Sequence, residues 1–125
     1  MHFVFINPPR KIDPNNIWSI INSDHPPLGL ALLSSIWDGQ GHQSQIIDAA
    51  ALKLSIPEIV SRIQPDTDYI GLTATTPEIS SAIAIARGIR EKFHDMKIVM
   101  GGVHPTVFHE ALVRYRFCDM VVRNE

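Results

Sequence analysis

Five short runs of strand-forming residues, Phe3–Ile6, Gln45–Asp48, Asp68–Thr73, Lys97–Met100 and Met120–Val122, are separated by stretches with helical spacing. The first run is apolar throughout instead of alternating with polar residues, the pattern of a strand buried on both faces. Such strands alternating with helices build a parallel sheet wrapped by helices. Right-handed crossovers then leave a doubly wound α/β sheet, and five strands fit the flavodoxin-like order 2-1-3-4-5 with helices on both faces. At 125 residues the chain has room for one core, so residues 1–125 are read as a single domain.

The connections are equally explicit. Asn7-Pro8-Pro9-Arg10 stops the first strand, and Lys11 to Pro27 is a long loop with a helical turn over Ile17–Ile21. A loop of that length inside a compact domain points to function. Pro27 suits the first turn of a helix that carries Leu28, Leu32, Leu33 and Ile36 and ends at Gly39 and Gly41. Ser55-x-x-Glu58, with Pro57 in the first turn, is a capping box opening a short helix through Ile59, Val60 and Ile63. Thr75 or Thr76 is placed to cap the longest helix, whose apolar face is Ile79, Ile83, Ala86, Ile89 and Phe93. A further helix is expected from about Thr106 to Leu112.

Charge and cysteine usage narrow the partners. Eleven basic against thirteen acidic side chains, net −2, give neither the basic footprint of a nucleic-acid binder nor a polybasic membrane patch. The apolar runs are far shorter than a bilayer span, and Met1-His2-Phe3-Val4-Phe5-Ile6 lacks the charged lead and length of a signal peptide, so the expected compartment is the cytoplasm. Cys118, the one cysteine, can form neither an internal disulfide nor a thiolate metal cluster and is read as core filler.

In an open parallel sheet the ligand lies beyond the carboxyl ends of the strands, at the switch point between strands one and three. The segments that reach this edge are Asn7-Pro8-Pro9, Asp48, Thr73-Ala74-Thr75-Thr76, Gly101-Gly102-Val103-His104 and Asn124-Glu125. They contain no nucleophile, base and acid constellation and no metal-ligand spacing, which favours binding over catalysis, with no catalytic or metal residue assigned. Gly101-Gly102 serves either a tight turn or the close approach of a ligand to the backbone, and taken alone the turn is the better reading. Thr73, Thr75 and Thr76 offer hydroxyl donors, one of them needed as a cap; Asp48 can accept from a ligand hydroxyl or close its own loop. His104 stands at the ligand edge, whereas His25, His42, His94 and His109 fall in loop or helix-surface positions read as solvated. Pro8 and Pro9 remove the backbone donors a pyrophosphate needs, which disfavours NAD, ATP and a flavodoxin-type flavin site. A receiver-like regulatory domain would require carboxylates where Asn7-Pro8 and Thr73-Ala74 stand.

Asn7-Pro8-Pro9, Pro26-Pro27-Leu28-Gly29-Leu30, Asp48-Ala49-Ala50, Gly71-Leu72-Thr73, Gly101-Gly102-x-His104-Pro105-Thr106 and Asp119-x-Val121-Val122-Arg123-x-Glu125, in this order and spacing, resemble one family over nearly the whole chain. It is similar to the N-terminal cobalamin-binding domain of cobalamin-dependent radical SAM enzymes. The resemblance implies a corrin ring over the carboxyl ends of the strands and a nucleotide tail between sheet and helix where Gly101 and Gly102 leave room. It also implies Thr73 and Thr75 at the tail or ring edge and the loop from Asn7 to Pro27 under the corrin. The implied contact set is Asn7, Pro8, Pro9, Asp48, Thr73, Thr75, Thr76, Gly101, Gly102, Val103, His104 and Asn124.

Two departures qualify the likeness. Methionine-synthase and mutase relatives carry D-x-H-x-x-G, whose histidine ligates cobalt; here the segment is Asp24-His25-Pro26-Pro27-Leu28-Gly29, with different spacing, so the axial role is not carried over to His25. The C-x-x-x-C-x-x-C motif of the radical SAM barrel is absent. The chain is therefore expected to be a fragment whose parent holds an iron–sulfur cluster and SAM in a downstream barrel domain and performs methyl transfer or radical rearrangement.

Overall fold

The structure is a computed structural model that describes residues 1–10, 14, 15, 17 and 25–124. Of the helical turn expected over residues 17–21 only residue 17 is described, and most of the loop containing it lies outside the described residues. The elements run β1 (His2–Asn7), α1 (Leu28–Gly39), β2 (Gln43–Asp48), α2 (Ile56–Ser61), β3 (Tyr69–Thr73), α3 (Ile79–Lys92), β4 (Lys97–Gly101), α4 (Val103–Arg114) and β5 (Met120–Val121). The strands form one sheet in the order β2-β1-β3-β4-β5, and every neighbouring pair is parallel. This is the expected doubly wound, flavodoxin-like topology.

The register explains the strand composition. Val4 and Ile6 of β1 lie level with Ile70 and Leu72 of β3, which lie level with Ile98 and Met100 of β4. All six side chains are essentially inaccessible and join Ile59 and Val60 of α2, Ile85 and Ile89 of α3 and Leu112 of α4 in one cluster. Burying each aliphatic chain of this size is worth about 1.5–3 kcal/mol, so this side of the sheet holds most of the cohesion.

The opposite side is built from aromatics. Phe3 stacks on Phe5 and on Tyr69 with centroids 4.5 and 5.6 Å apart, and Trp37 of α1 meets Phe3 edge-on at 5.1 Å. The rings fit because Gly71 lies beneath them: a Cβ there would come within 2.7 Å of Phe3 Cε1. Among the described residues, α1 is the only helix on this side, and it rests mainly on β2, where Ser34 and Asp38 hydrogen-bond Ser44.

Local signals are met unevenly. The capping box is present: the Glu58 amide donates to Ser55 Oγ, and the Ser55 amide donates to the Glu58 carboxylate at 2.7 Å. Those bonds hold the Glu58 carboxyl below the usual carboxylate range, with the Ser55 hydroxyl the largest contributor. The start of α3 is a correction. Its N-cap position is Glu78, without a side-chain cap, and the Thr75 amide and hydroxyl instead donate to the Glu78 carboxylate at 2.9 and 2.8 Å. Its buried residues are Ala82, Ile85, Ala86 and Ile89, with Ile79, Ile83 and Phe93 partly covered at the margin. Helix α4 begins at Val103, three residues before the expected start, because Pro105 is compatible with the first helical turn. Leu28, Leu32, Leu33 and Ile36 do lie on a helix, yet α1 faces the sheet through Leu30, Ser34 and Trp37 and leaves those four exposed.

Cys118 is 3 % exposed within the main core cluster, as its isolation suggested. Burial pushes its thiol up to about 11, with the Asp119 carboxylate adding to the rise and Arg90 opposing it. A thiol so placed is inert at pH 8. Native protein is expected to consume less than about a tenth of an equivalent of Ellman reagent over an hour and a full equivalent in urea; rapid native labelling would show that the β5 corner opens freely.

Candidate functional site at the carboxyl edge

The parallel arrangement brings the ends of all strands to one edge, and the switch point between β1 and β3 puts Asn7 and Thr73 at its centre. Asn7 Nδ2 donates to Asp48 Oδ1 at 2.9 Å, and the Ala51 amide donates to the same oxygen at 3.1 Å. Asp48 therefore closes its own loop, while its second oxygen has no hydrogen bond among the described residues. Pro8 is fully buried and offers no surface to a ligand; its part in the expected contact set is structural, whereas Pro9 is half-buried.

On the other side of Thr73, the backbone fixes a compact rim. The Ala74 amide donates to the Gly101 carbonyl at 3.0 Å, and the His104 amide donates to the Ala74 carbonyl at 3.3 Å. Gly102 takes φ 106°, ψ −173°, and a Cβ on it would sit 2.9 Å from the Ala74 carbonyl oxygen. That conformation belongs to glycine, so Gly102 is a backbone requirement. Gly101 differs: an added Cβ would meet nothing nearer than Val122 Cβ at 3.7 Å. Of the pair, Gly101 is the one that leaves room.

His104 Nδ1 lies 3.2 Å from Thr76 Oγ1, and its ring stacks on Phe108 with centroids 4.6 Å apart. Thr106 Oγ1 donates to the Gly102 carbonyl at 2.9 Å and accepts from the Asn124 amide at 3.3 Å, joining the end of β5 to the rim. Val103 is exposed beside them. Arg10 reaches Glu78 at 3.7 Å, linking the exit of β1 to the turn that holds Thr75. The edge thus gathers Asn7, Asp48, Thr73, Thr75, Thr76, Gly101, Gly102, His104 and Asn124. Thr106, Phe108, Glu78 and Arg10 share it although the sequence did not single them out.

Among the described residues the rim offers hydroxyls, amides, a carboxylate and an imidazole. No group of three or more His, Cys, Asp or Glu able to hold a metal occurs among the described residues. Cys118 and Asp119 precede β5 near the opposite edge, so these two shifted groups lie away from the rim. Two surface depressions lie elsewhere: one of about 470 Å³ beside His2, Asp38 and His42, the other between α3 and the end of α4. Among the described residues the rim is open at Gly102 and Val103, which leaves space for a large ligand. His25 is exposed, and among the described residues no helix is long and apolar enough to cross a membrane.

Comparison with known proteins decides which large ligand is meant. The family model of the B12 binding domain matches residues 19–125. The chain belongs to the B12 binding domain family. The cobalamin-binding role implied by the sequence is the one this match supports. The B12 binding domain is 34 % identical over 127 residues to an uncharacterized methyltransferase of Pyrococcus horikoshii, covering all of this chain and 27 % of that protein. It is 32 % identical over 130 residues to an anaerobic magnesium-protoporphyrin IX monomethyl ester cyclase of Synechocystis, covering all of this chain and 25 % of the cyclase. A cyclase of the same description from Rubrivivax gelatinosus is 30 % identical over 110 residues, 84 % of this chain and 20 % of its own length. The chain spans about a quarter of the length of these curated relatives.

The residues present fit a corrinoid. Gly101 leaves the end of β4 open on the α1 side, and its register partner Thr73 supplies a hydroxyl beside that strip.

Proposed function

We propose that this B12 binding domain seats cobalamin with the corrin over Asn7, Thr73 and Gly101 and the nucleotide tail along the open strip at Gly101. In this reading Thr73 and Thr76 donate hydroxyls to the cofactor's amides, and the free oxygen of Asp48 accepts from it. Val103, His104 and Asn124 border the ring. Thr75 acts through Glu78, and Gly102 and Pro8 shape the edge without touching the ligand. The parent is read as a cytoplasmic cobalamin-dependent radical SAM enzyme whose downstream barrel holds the iron–sulfur cluster and SAM. Bound cobalamin would supply a cobalt centre able to carry a methyl group, and this domain would hold and orient it. Relatives described as a methyltransferase and as cyclases support that reading.

The observation that carries the seat is the unfilled space at Gly101, where a Cβ finds only Val122. Protein mixed with hydroxocobalamin and freed of excess cofactor is expected to retain corrin absorbance at close to one equivalent. A protein fraction without that absorbance would sink the proposal. Gly101→Val should weaken cobalamin at least about tenfold by filling the strip, about 1.4 kcal/mol of binding, while lowering folding stability by less than about 1 kcal/mol because β-branched residues suit a strand. Unchanged affinity in a folded variant would move the tail elsewhere.

A further inference from the structure

A depression of about 370 Å³ opens between α3 and the turn after α4, lined chiefly by Arg87, Arg90, Glu91, Tyr115, Arg116 and Phe117. Both helices run against the strands, so it lies where β4 begins, at the edge of the sheet opposite Asn7 and Thr73. Three guanidinium groups meet one carboxylate there. Arg90 is committed to Asp119 and the Met96 carbonyl, but Arg87 and Arg116 make no ion pair with a described residue. Arg87 lies over the Phe117 ring, 5.2 Å from its centroid, and the Tyr115 ring is 6.1 Å from the same centroid. Cations and rings thus form one surface.

Helix ends alone do not explain these charges. Arg90, Lys92 and Arg114 occupy the last turns of α3 and α4, where cations offset the helix dipole. Arg87 and Arg116 fall outside those turns. Arg116 also stands in a left-handed backbone position, φ 56°, in the turn that closes α4: the Phe117 amide donates to the Leu112 carbonyl and the Arg116 amide to the Val113 carbonyl, both at 3.0 Å. Glycine is the residue that suits this place in such a turn. A long cation held there at a backbone cost points to a use for the cation.

We infer that this depression docks an acidic segment of a separate protein, whose carboxylates take the forks of Arg87 and Arg116 while an apolar side chain lies on Tyr115 and Phe117. The charge distribution supports such a partner. Residues 87–123 carry seven basic and four acidic side chains, whereas the rest of the chain carries four and nine. A guanidinium matches the planar carboxylate in both shape and charge. A phosphate fits less well, because it favours helix N-termini and both helices present their C-terminal ends here. The rim, where the Asn124 amide donates to Thr106, lies across the sheet, which leaves this depression open to a separate protein while the rim is occupied.

The test follows a fluorescein-labelled peptide of about ten residues, glutamates around one phenylalanine, by anisotropy at about 20 mM salt. Binding at about 100 μM is expected, weakened at least about fivefold by about 200 mM salt, by Arg87→Gln and by Arg116→Gly. Arg116→Gly is the sharpest case, because glycine relieves the turn: its urea midpoint is expected to equal or exceed that of the wild type while its binding falls. Lys53→Gln, which removes a cation from the loop after β2, is expected to bind as the wild type does. No binding by the wild type, full binding by Arg116→Gly, or an equal loss in Lys53→Gln would each overturn the inference. Displacement of the peptide by inorganic phosphate at matched ionic strength would assign the depression to a phosphate ligand, and failure of the full-length parent to bind the peptide would assign it to a segment in cis; either result overturns a separate acidic partner.

Discussion

Gly102→Ala is expected to lower the stability of the domain by about 3 kcal/mol, combining roughly 1–3 kcal/mol for a side chain forced into a glycine-only conformation with a similar penalty for overpacking. Two independent facts make the cost large. The residue sits at φ 106°, ψ −173°, and its added methyl would lie 2.9 Å from the Ala74 carbonyl oxygen and 3.2 Å from the Ala74 nitrogen. Relief requires β4 to draw away from the β3–α3 turn, which strains the bonds from Ala74 to Gly101 and from His104 to Ala74. Urea titration followed by circular dichroism measures the shift, and a loss below about 1 kcal/mol would mean that the turn adapts. Because those bonds place His104 beside Thr76, cobalamin affinity is expected to fall with stability in this variant, unlike in Gly101→Val.

Asp119→Ala is expected to cost about 2 kcal/mol, the range for removing an ionised acceptor from a buried backbone donor. The Asp119 carboxylate accepts from the Ile98 amide at 2.8 Å and from Arg90 at 2.7 Å, and Arg90 also donates to the Met96 carbonyl at 3.2 Å. One side chain thus fastens the segment before β5 to the start of β4 and the end of α3. The ion pair is partly exposed and by itself adds less than about 1 kcal/mol, so most of the loss comes from the unpaired Ile98 amide. Burial works to raise the Asp119 carboxyl, but the Ile98 amide and Arg90 together outweigh it and hold it below the usual aspartate range. The sign follows: its contribution is complete above the unfolded-state value and is lost as pH falls through the lower folded-state value, a window beginning near about pH 4 and extending downward. Wild-type stability is expected to drop more steeply than that of Asp119→Ala on acidification below about pH 4, and parallel acid limbs would remove this carboxyl from the acid response.

How far residues announce structure depends on how local their cause is. Val4 announces itself because β1 is an unbroken apolar run, and Ile70 and Ile98 because they alternate onto the face that α2, α3 and α4 cover. Ser55 and Glu58 do so because the capping box is closed within four residues. Thr75 does not, since Glu78 competes for the same hydroxyl and amide and reverses the direction of the bond. The spacing of Leu28, Leu32 and Ile36 declares a helix but not which side meets the sheet, which the aromatic contacts of Trp37 decide. At the rim, topology alone places Asn7, Asp48, Thr73 and Gly101 together. The division of labour between Gly101 and Gly102 is invisible in a glycine pair, because it turns on Ala74, which lies nearly thirty residues earlier in the chain.

The central position of β1 has a consequence during synthesis. Val4 of β1 is level with Gln45 of β2 and Ile70 of β3, so the strand made first has its partners made last among its own contacts. At about 5–20 residues per second, Ile70 leaves the ribosome roughly three to thirteen seconds after Val4. Until β2 emerges Phe3-Val4-Phe5-Ile6 has both edges open, and the edge that faces β3 stays open for the rest of the interval. The nascent chain cannot set its core until β3 has emerged, and translation products that stop before Tyr69 are expected to be more aggregation-prone than the complete domain.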